Sequence, residues 1–244
     1  MDKVIIGICG GFHAPQATEG IFDLWAKDPM LRAIPAMVLG RDGGWAPLSA
    51  HALRRSLDQA IHPAMNLAPP STYSPPRRSP STDAARTSRN NALGQGGRDP
   101  RTSTPTAGEG QVDLILWAFS AGCVGAVALA HHWHRYRGNV RALFLVDGWG
   151  VPWHGVAPLH RISHDGFTHH SSRWLGAGRA DFVAQPAVPH LQLWRSPQTV
   201  MGLGQRPPLA ATVASSQPWS AADFLIQWTQ FYALPPLAPA RTLD

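Results

Sequence analysis

Cysteine is scarce in this chain: 244 residues hold two, Cys9 and Cys123. Two lone thiols build no disulfide framework, so the fold must rest on its core. They suit a reducing cytoplasm, the expected compartment, and are expected as buried core residues, with a redox role as the alternative. Charge is thin as well, at 15 % of residues. Long apolar runs are nearly absent. The one exception, residues 112–130, carries a single charge at Asp113 and approaches the length of a bilayer span. Its first positions are β-branched or bulky and its middle is small, which fits a buried strand that turns into a buried helix. No second run of that kind exists, and residues 3–9 are too short for a signal-peptide core with its flanks. No stable membrane span is expected.

The net charge of +6 invites a nucleic-acid reading, but its distribution argues against one. Arg77, Arg78, Arg86, Arg89, Arg98 and Arg101 all fall in a Pro/Ser/Thr/Gly-rich stretch, 66–110, without apolar periodicity. Such a stretch buries too little surface to offset its ordering entropy, so it is expected to be a disordered insertion with solvated charge. It lacks the interleaved aromatics of a stacking platform. One domain is expected from 1–65 and 111–234, with a flexible tail at 235–244.

Apolar runs at 4–9, 34–39, 112–117, 142–146 and 191–194 predict strands. Helices are predicted between them: after Thr18 with Ile21, Phe22, Leu24 and Trp25, after Ser49 with Leu53, Leu57 and Ile61, and from 123 to 136. A last helix follows a capping-box-like Ser220 and Asp223. Residues 151–189 are expected to be irregular. Strands alternating with helices imply a parallel sheet of five strands in an α/β, three-layer, doubly wound domain. Sites in this architecture form at the carboxyl ends of the strands, here Gly10–Gly11, Gly40, Ser120, Asp147 and Arg195.

Ser120 stands out among these ends. Leu114 to Phe119 is strand-like, Ala121 and Gly122 are small, and helix-forming sequence follows at once. A turn this tight strains the serine backbone and presents its hydroxyl at the sheet edge. The stretch Ala118-Phe119-Ser120-Ala121-Gly122 resembles the nucleophile elbow of the α/β-hydrolase superfamily, with Ala118 in place of the first glycine. Gly10-Gly11-Phe12-His13 is similar to that superfamily's glycine-rich oxyanion loop. A narrower likeness, to small divergent hydrolase-like proteins, rests on the segments 163–169 and 193–197. The resemblance implies strand order 2-1-3-4-5 and a minimal hydrolase core. It nominates the backbone N–H groups of Ala121 and of Gly11 or Phe12 for the oxyanion hole.

A serine needs an imidazole to take its proton and an acid to orient that imidazole. The resemblance puts the histidine after the last strand and the acid after the strand before it. This chain has no histidine beyond His190, and Arg195-Ser196-Pro197-Gln198 offers no carboxylate. His190 precedes the strand expected at 191–194 and is therefore expected at the opposite edge of the sheet. The base is then expected to be His169, with His164 second. Asp147 is the expected orienting acid, with Asp165 as the alternative. His131, His132 and His134 are expected to be charges suited to a helix C-terminus rather than metal ligands. No metal and no cofactor is expected. The expected function is hydrolysis of a small-molecule ester or thioester through a Ser120 acyl-enzyme. The alternative is a hydrolase-like binding or scaffold protein without catalysis.

Overall fold

The computed structural model describes residues 3–40, 46–61, 112–208 and 218–233. The 66–110 insertion and the 235–244 tail lie outside them. β1 (Lys3–Cys9) leads to α1 (Gln16–Lys27), β2 (Ala36–Leu39) and α2 (Ala50–Ile61). Next come β3 (Val112–Phe119), α3 (Gly122–Tyr136), β4 (Val140–Val146), β5 (Leu159–Ser163) and α4 (Gly166–Arg173). The chain continues through β6 (Phe182–Ala184), α5 (His190–Arg195), β7 (Met201–Gly204), β8 (Trp219–Ser220) and α6 (Ala221–Ala233).

All eight strands join one sheet in the order β2-β1-β3-β4-β5-β6-β7-β8. Pairing is parallel from β2 through β6 and antiparallel at β6–β7 and β7–β8. The order 2-1-3-4-5 is found at this end of the sheet, but its fifth strand is Leu159–Ser163 rather than the expected 191–194; the five-strand count is too low, and the sheet is mixed. Residues 151–189 are not irregular throughout, because they contain β5, α4 and β6. Segments of three to eight residues are too short for hydrophobic periodicity to register.

Strand alternation separates two cores. Ile115, Trp117 and Phe119 of β3 face a cluster completed by Ile21 and Trp25 of α1, Leu193 and Trp194 of α5, and Phe224 and Trp228 of α6. Leu114, Leu116 and Ala118 face Leu53 and Leu57 of α2 and Cys123, Leu129 and Trp133 of α3. Helices thus cover both faces, giving three layers.

The helix starts follow from local chemistry. Ser49 Oγ accepts the Ala52 N–H at 3.2 Å. Ser220 Oγ accepts the Asp223 N–H at 3.0 Å and donates to Asp223 Oδ2 at 2.7 Å, a reciprocal cap. Thr18 is no cap. α1 begins two residues earlier, and the buried Thr18 hydroxyl instead accepts the Trp194 indole N–H at 3.3 Å.

The run 112–130 is broken at Ser120 into strand and helix, and no helix among the described residues is long and apolar enough to cross a membrane. Both cysteines are buried. Burial pushes the Cys9 thiol up to about 12 and the Cys123 thiol well above its ordinary value. They are protonated core residues, as expected.

The structure changes the reading of 191–194 most. These residues belong to α5, not to a final strand. Six residues are far below the roughly 12–15 at which an isolated helix holds in water. α5 holds because Leu193 and Trp194 are buried against Phe119 and its neighbours; burial of such a side chain contributes about 2 kcal/mol.

Candidate functional site

β3, β4 and β5 end side by side, with Phe119 paired to Val146 and Val146 to Ile162. The ladder runs one residue further. Ser120 N–H donates to Val146 O at 2.9 Å, and Asp147 N–H donates to Ile162 O at 2.8 Å. Among the described residues, Ser120 and Asp147 are the two non-glycine residues with positive φ, each at 52°. That left-handed geometry costs each of them about 1 kcal/mol or more. The hydrogen bonds on either side hold it in place.

Immediately after Ser120, α3 starts against the loop that follows β1. A Cβ on Gly122 would collide with Gly10 O and lie 2.7 Å from Cys9 O. A Cβ on Gly11 would lie 3.0 Å from Phe119 O and 3.1 Å from Ser120 Cβ. The glycines therefore bring the Gly10–Gly11 backbone onto the elbow itself.

Asp147 is buried, and its carboxylate is the hub of the site. Oδ1 accepts the backbone N–H of His164 at 2.9 Å. Oδ2 accepts from His190 Nδ1 at 2.7 Å. His164 Nδ1 lies 3.0 Å from the same Oδ2. The alignment is too poor for a hydrogen bond, and this buried nitrogen has no hydrogen-bond partner among the described residues. On its other side, His164 Nε2 is 3.4 Å from Asp165 Oδ2. Asp165 caps α4, accepting the Thr168 N–H at 2.7 Å. That bond, more than the nearby His164, holds its carboxyl below the ordinary value.

His190 reaches this hub from the first turn of α5. Its ring stacks on Phe119 with centroids 4.6 Å apart, and Trp194 stacks on the same ring at 5.2 Å. Residue 190 is therefore at the carboxyl edge of the sheet, which overturns the expectation that it sits at the opposite edge. A helix in place of the expected strand is the cause. The signal that could have found it is the i, i+4 pair His190 and Trp194, both aromatic and both on one side of a helical turn.

The preferred base of the sequence reading lies elsewhere. His169 is on α4, where its ring packs at 5.3 Å from His170. Burial lowers its pKa, with Asp181 opposing and Arg173 and His170 reinforcing the shift. His164 does join the hub, as does Asp147. Asp165 touches it only through His164.

The nominated oxyanion donors divide. Ala121 directly precedes α3, where first-turn N–H groups lack intrahelical acceptors and the helix dipole is positive. Gly11 N–H instead donates to His13 Nε2 at 3.1 Å. His13 Nδ1, 3.0 Å from Ala14 O, then carries the proton. Phe12 lies in the wall of a neighbouring cavity of about 500 Å³, formed with His13, Pro15, Thr18, Val38, Leu39 and Pro47. That cavity is on the β1–β2 side of the elbow, and Ser120 is not in its lining.

A buried arginine, passed over in the sequence, braces the loops around the hub. Arg161 on β5 donates to Gly176 O at 2.6 Å, Val151 O at 3.0 Å, and Gly148 O and Leu175 O at 3.4 Å each. Burial lowers its pKa, and Asp181 works against that. The tryptophans of 149–194 divide as well: Trp153 and Trp194 are core, while Trp149 and Trp174 are exposed.

No protein-family model matches this chain, and no curated protein matches it.

Proposed function

We propose that the protein is a serine hydrolase of the α/β-hydrolase type that cleaves an ester or thioester. In this reading Ser120 is the nucleophile, His190 the base and Asp147 the orienting acid. The observation that carries the reading is the 2.7 Å bond from His190 Nδ1 to the buried Asp147 carboxylate, one strand away from a serine held at φ 52°. With Nδ1 protonated and bound, Nε2 is the nitrogen left to accept the Ser120 proton. The serine oxygen attacks the acyl carbonyl, and the oxyanion collects at the Ala121 N–H. Gly11 N–H joins it once His13 lets go. Collapse breaks the bond to the alcohol or thiol, which leaves with the proton from His190. Water then repeats the sequence on the acyl-enzyme, and Ser120 is regenerated. Asp147 remains ionised throughout and stabilises the imidazolium. The substrate's apolar part has a place in the cavity beside Phe12, Val38 and Leu39.

A second reading, a hydrolase-like binding or scaffold protein, has its own observation: the Gly11 donor is occupied by His13. The two readings separate with a fluorophosphonate probe. Wild type is expected to label stoichiometrically at Ser120, and Ser120→Ala is expected not to label. Folded wild type that stays unlabelled would overturn the hydrolase reading and leave the binding protein.

A further inference from the structure

The hub has one ring nitrogen too many for a simple triad. Asp147 Oδ2 faces two imidazole Nδ1 atoms, at 2.7 Å from His190 and 3.0 Å from His164. Only the first is a hydrogen bond, and the second nitrogen is buried without a partner among the described residues. A buried polar atom left this way costs free energy unless something else engages it. The donor atoms of Asp147, His164 and His190 all lie within 4.8 Å of one another.

We propose that these three side chains form a site for a divalent transition-metal ion of the zinc type. Two imidazoles and one carboxylate, with a fourth position open to water, are a donor set such ions favour over magnesium or calcium. Ligands ~2.0–2.1 Å from one ion stand roughly 2.9 Å apart at right angles and about 3.3 Å apart in a tetrahedron. The two N–O separations fall near that lower spacing, and the imidazole–imidazole separation, within 4.8 Å, has to settle near the same range for the three to share the ion. The outer contacts suit it as well. His164 Nε2 faces the Asp165 carboxylate, the arrangement in which a ligating imidazole is oriented by an acid behind it. Asp147 Oδ1 is fixed by the His164 N–H, which leaves Oδ2 for the ion.

The ion and the proposed triad compete for the same atoms. Metal on His190 Nδ1 replaces the proton that Asp147 orients, so occupancy switches off proton transfer from Ser120. This second consequence rests on the serine-hydrolase reading, whereas the site itself does not.

Calorimetric titration of the chelator-stripped full chain with Zn²⁺ tests the site directly. One ion per chain is expected, with no comparable binding of Mg²⁺. His164→Gln and Asp147→Asn should each abolish it. Asp165→Asn, which keeps the α4 cap, should weaken it at least about tenfold. His131→Ala with His134→Ala tests for adventitious binding at the end of α3 and should leave the titration unchanged. Binding that survives His164→Gln in a folded protein, or that disappears with the α3 histidines, would overturn the site, as would no binding at all. Probe labelling of wild-type Ser120 should slow at least tenfold in Zn²⁺ and recover with chelator. If zinc binds through the trio and labelling is indifferent to it, the competition is refuted. If zinc binds and Ser120 never labels, the serine reading fails and the metal site stands.

Discussion

At the scale of single residues, the histidine expected at the opposite edge of the sheet is the one that meets Asp147. His190 holds the Asp147 carboxylate, while His169 packs on α4 with His170. His190→Ala should therefore lower the rate constant for fluorophosphonate labelling of Ser120 by at least about 10³-fold. His169→Ala should leave it within a few fold. The same assay applied to both variants, each confirmed folded by circular dichroism, decides between them. The reverse ranking would return the base to α4. Ser120 could be picked out from the sequence because a strained turn after an apolar strand has a signature (bulky residues, then small ones, then a helix), and Asp147 because it directly follows an apolar strand. His190 could not, because its position depends on whether four residues, Leu191 to Trp194, extend or coil. Tertiary burial of Leu193 and Trp194 decides that, and the one local cue, the i, i+4 pair His190 and Trp194, is outweighed by a short apolar run that also fits a strand.

The elements carry a second layer of constraint. α3 sits so close to the loop after β1 that residue 122 has no room for a side chain. Gly122→Ala should destabilise the fold by about 1–3 kcal/mol, the usual cost of overpacking. It should also slow Ser120 labelling, because any relief moves the elbow away from Gly10 and Gly11. Urea denaturation paired with the labelling rate checks both, and an unchanged midpoint would show that α3 can slide freely. At this scale the apolar runs that became β1 to β4 were readable, and their order came from the resemblance rather than from any local pattern; β5 lay in the stretch expected to be irregular. β6, β7 and β8 were not readable: at two to four residues each, they exist by pairing rather than by propensity.

For the molecule as a whole, acid stability should be set in large part by one buried histidine. His160 lies between Phe144 and Trp228, with ring centroids at 4.9 and 4.5 Å. Nδ1 donates to Ala180 O at 2.8 Å, and Nε2 accepts the Tyr232 hydroxyl at 3.0 Å. Burial lowers its pKa from 6.5 to about 4. The folded state thus keeps the ring neutral where the unfolded chain would protonate it. In that window the unfolded state binds more protons, so stability falls as pH drops from 6.5 toward about 4. The full loss is about 3 kcal/mol. Urea titrations across this range should show the slope in wild type, and His160→Gln should flatten it. A slope that persists in the variant would assign the effect to other groups.

The proposed site gathers residues 120, 147 and 164 from three strand ends and residue 190 from α5, and they meet only once the sheet is assembled. In the proposed hydrolase reading, a growing chain that has emerged only as far as α4 would be inert, because His190 is still to be synthesised. In that reading chemistry arrives with the docking of a six-residue helix, and an internal deletion that removes α5 but spares every longer element would leave the protein silent.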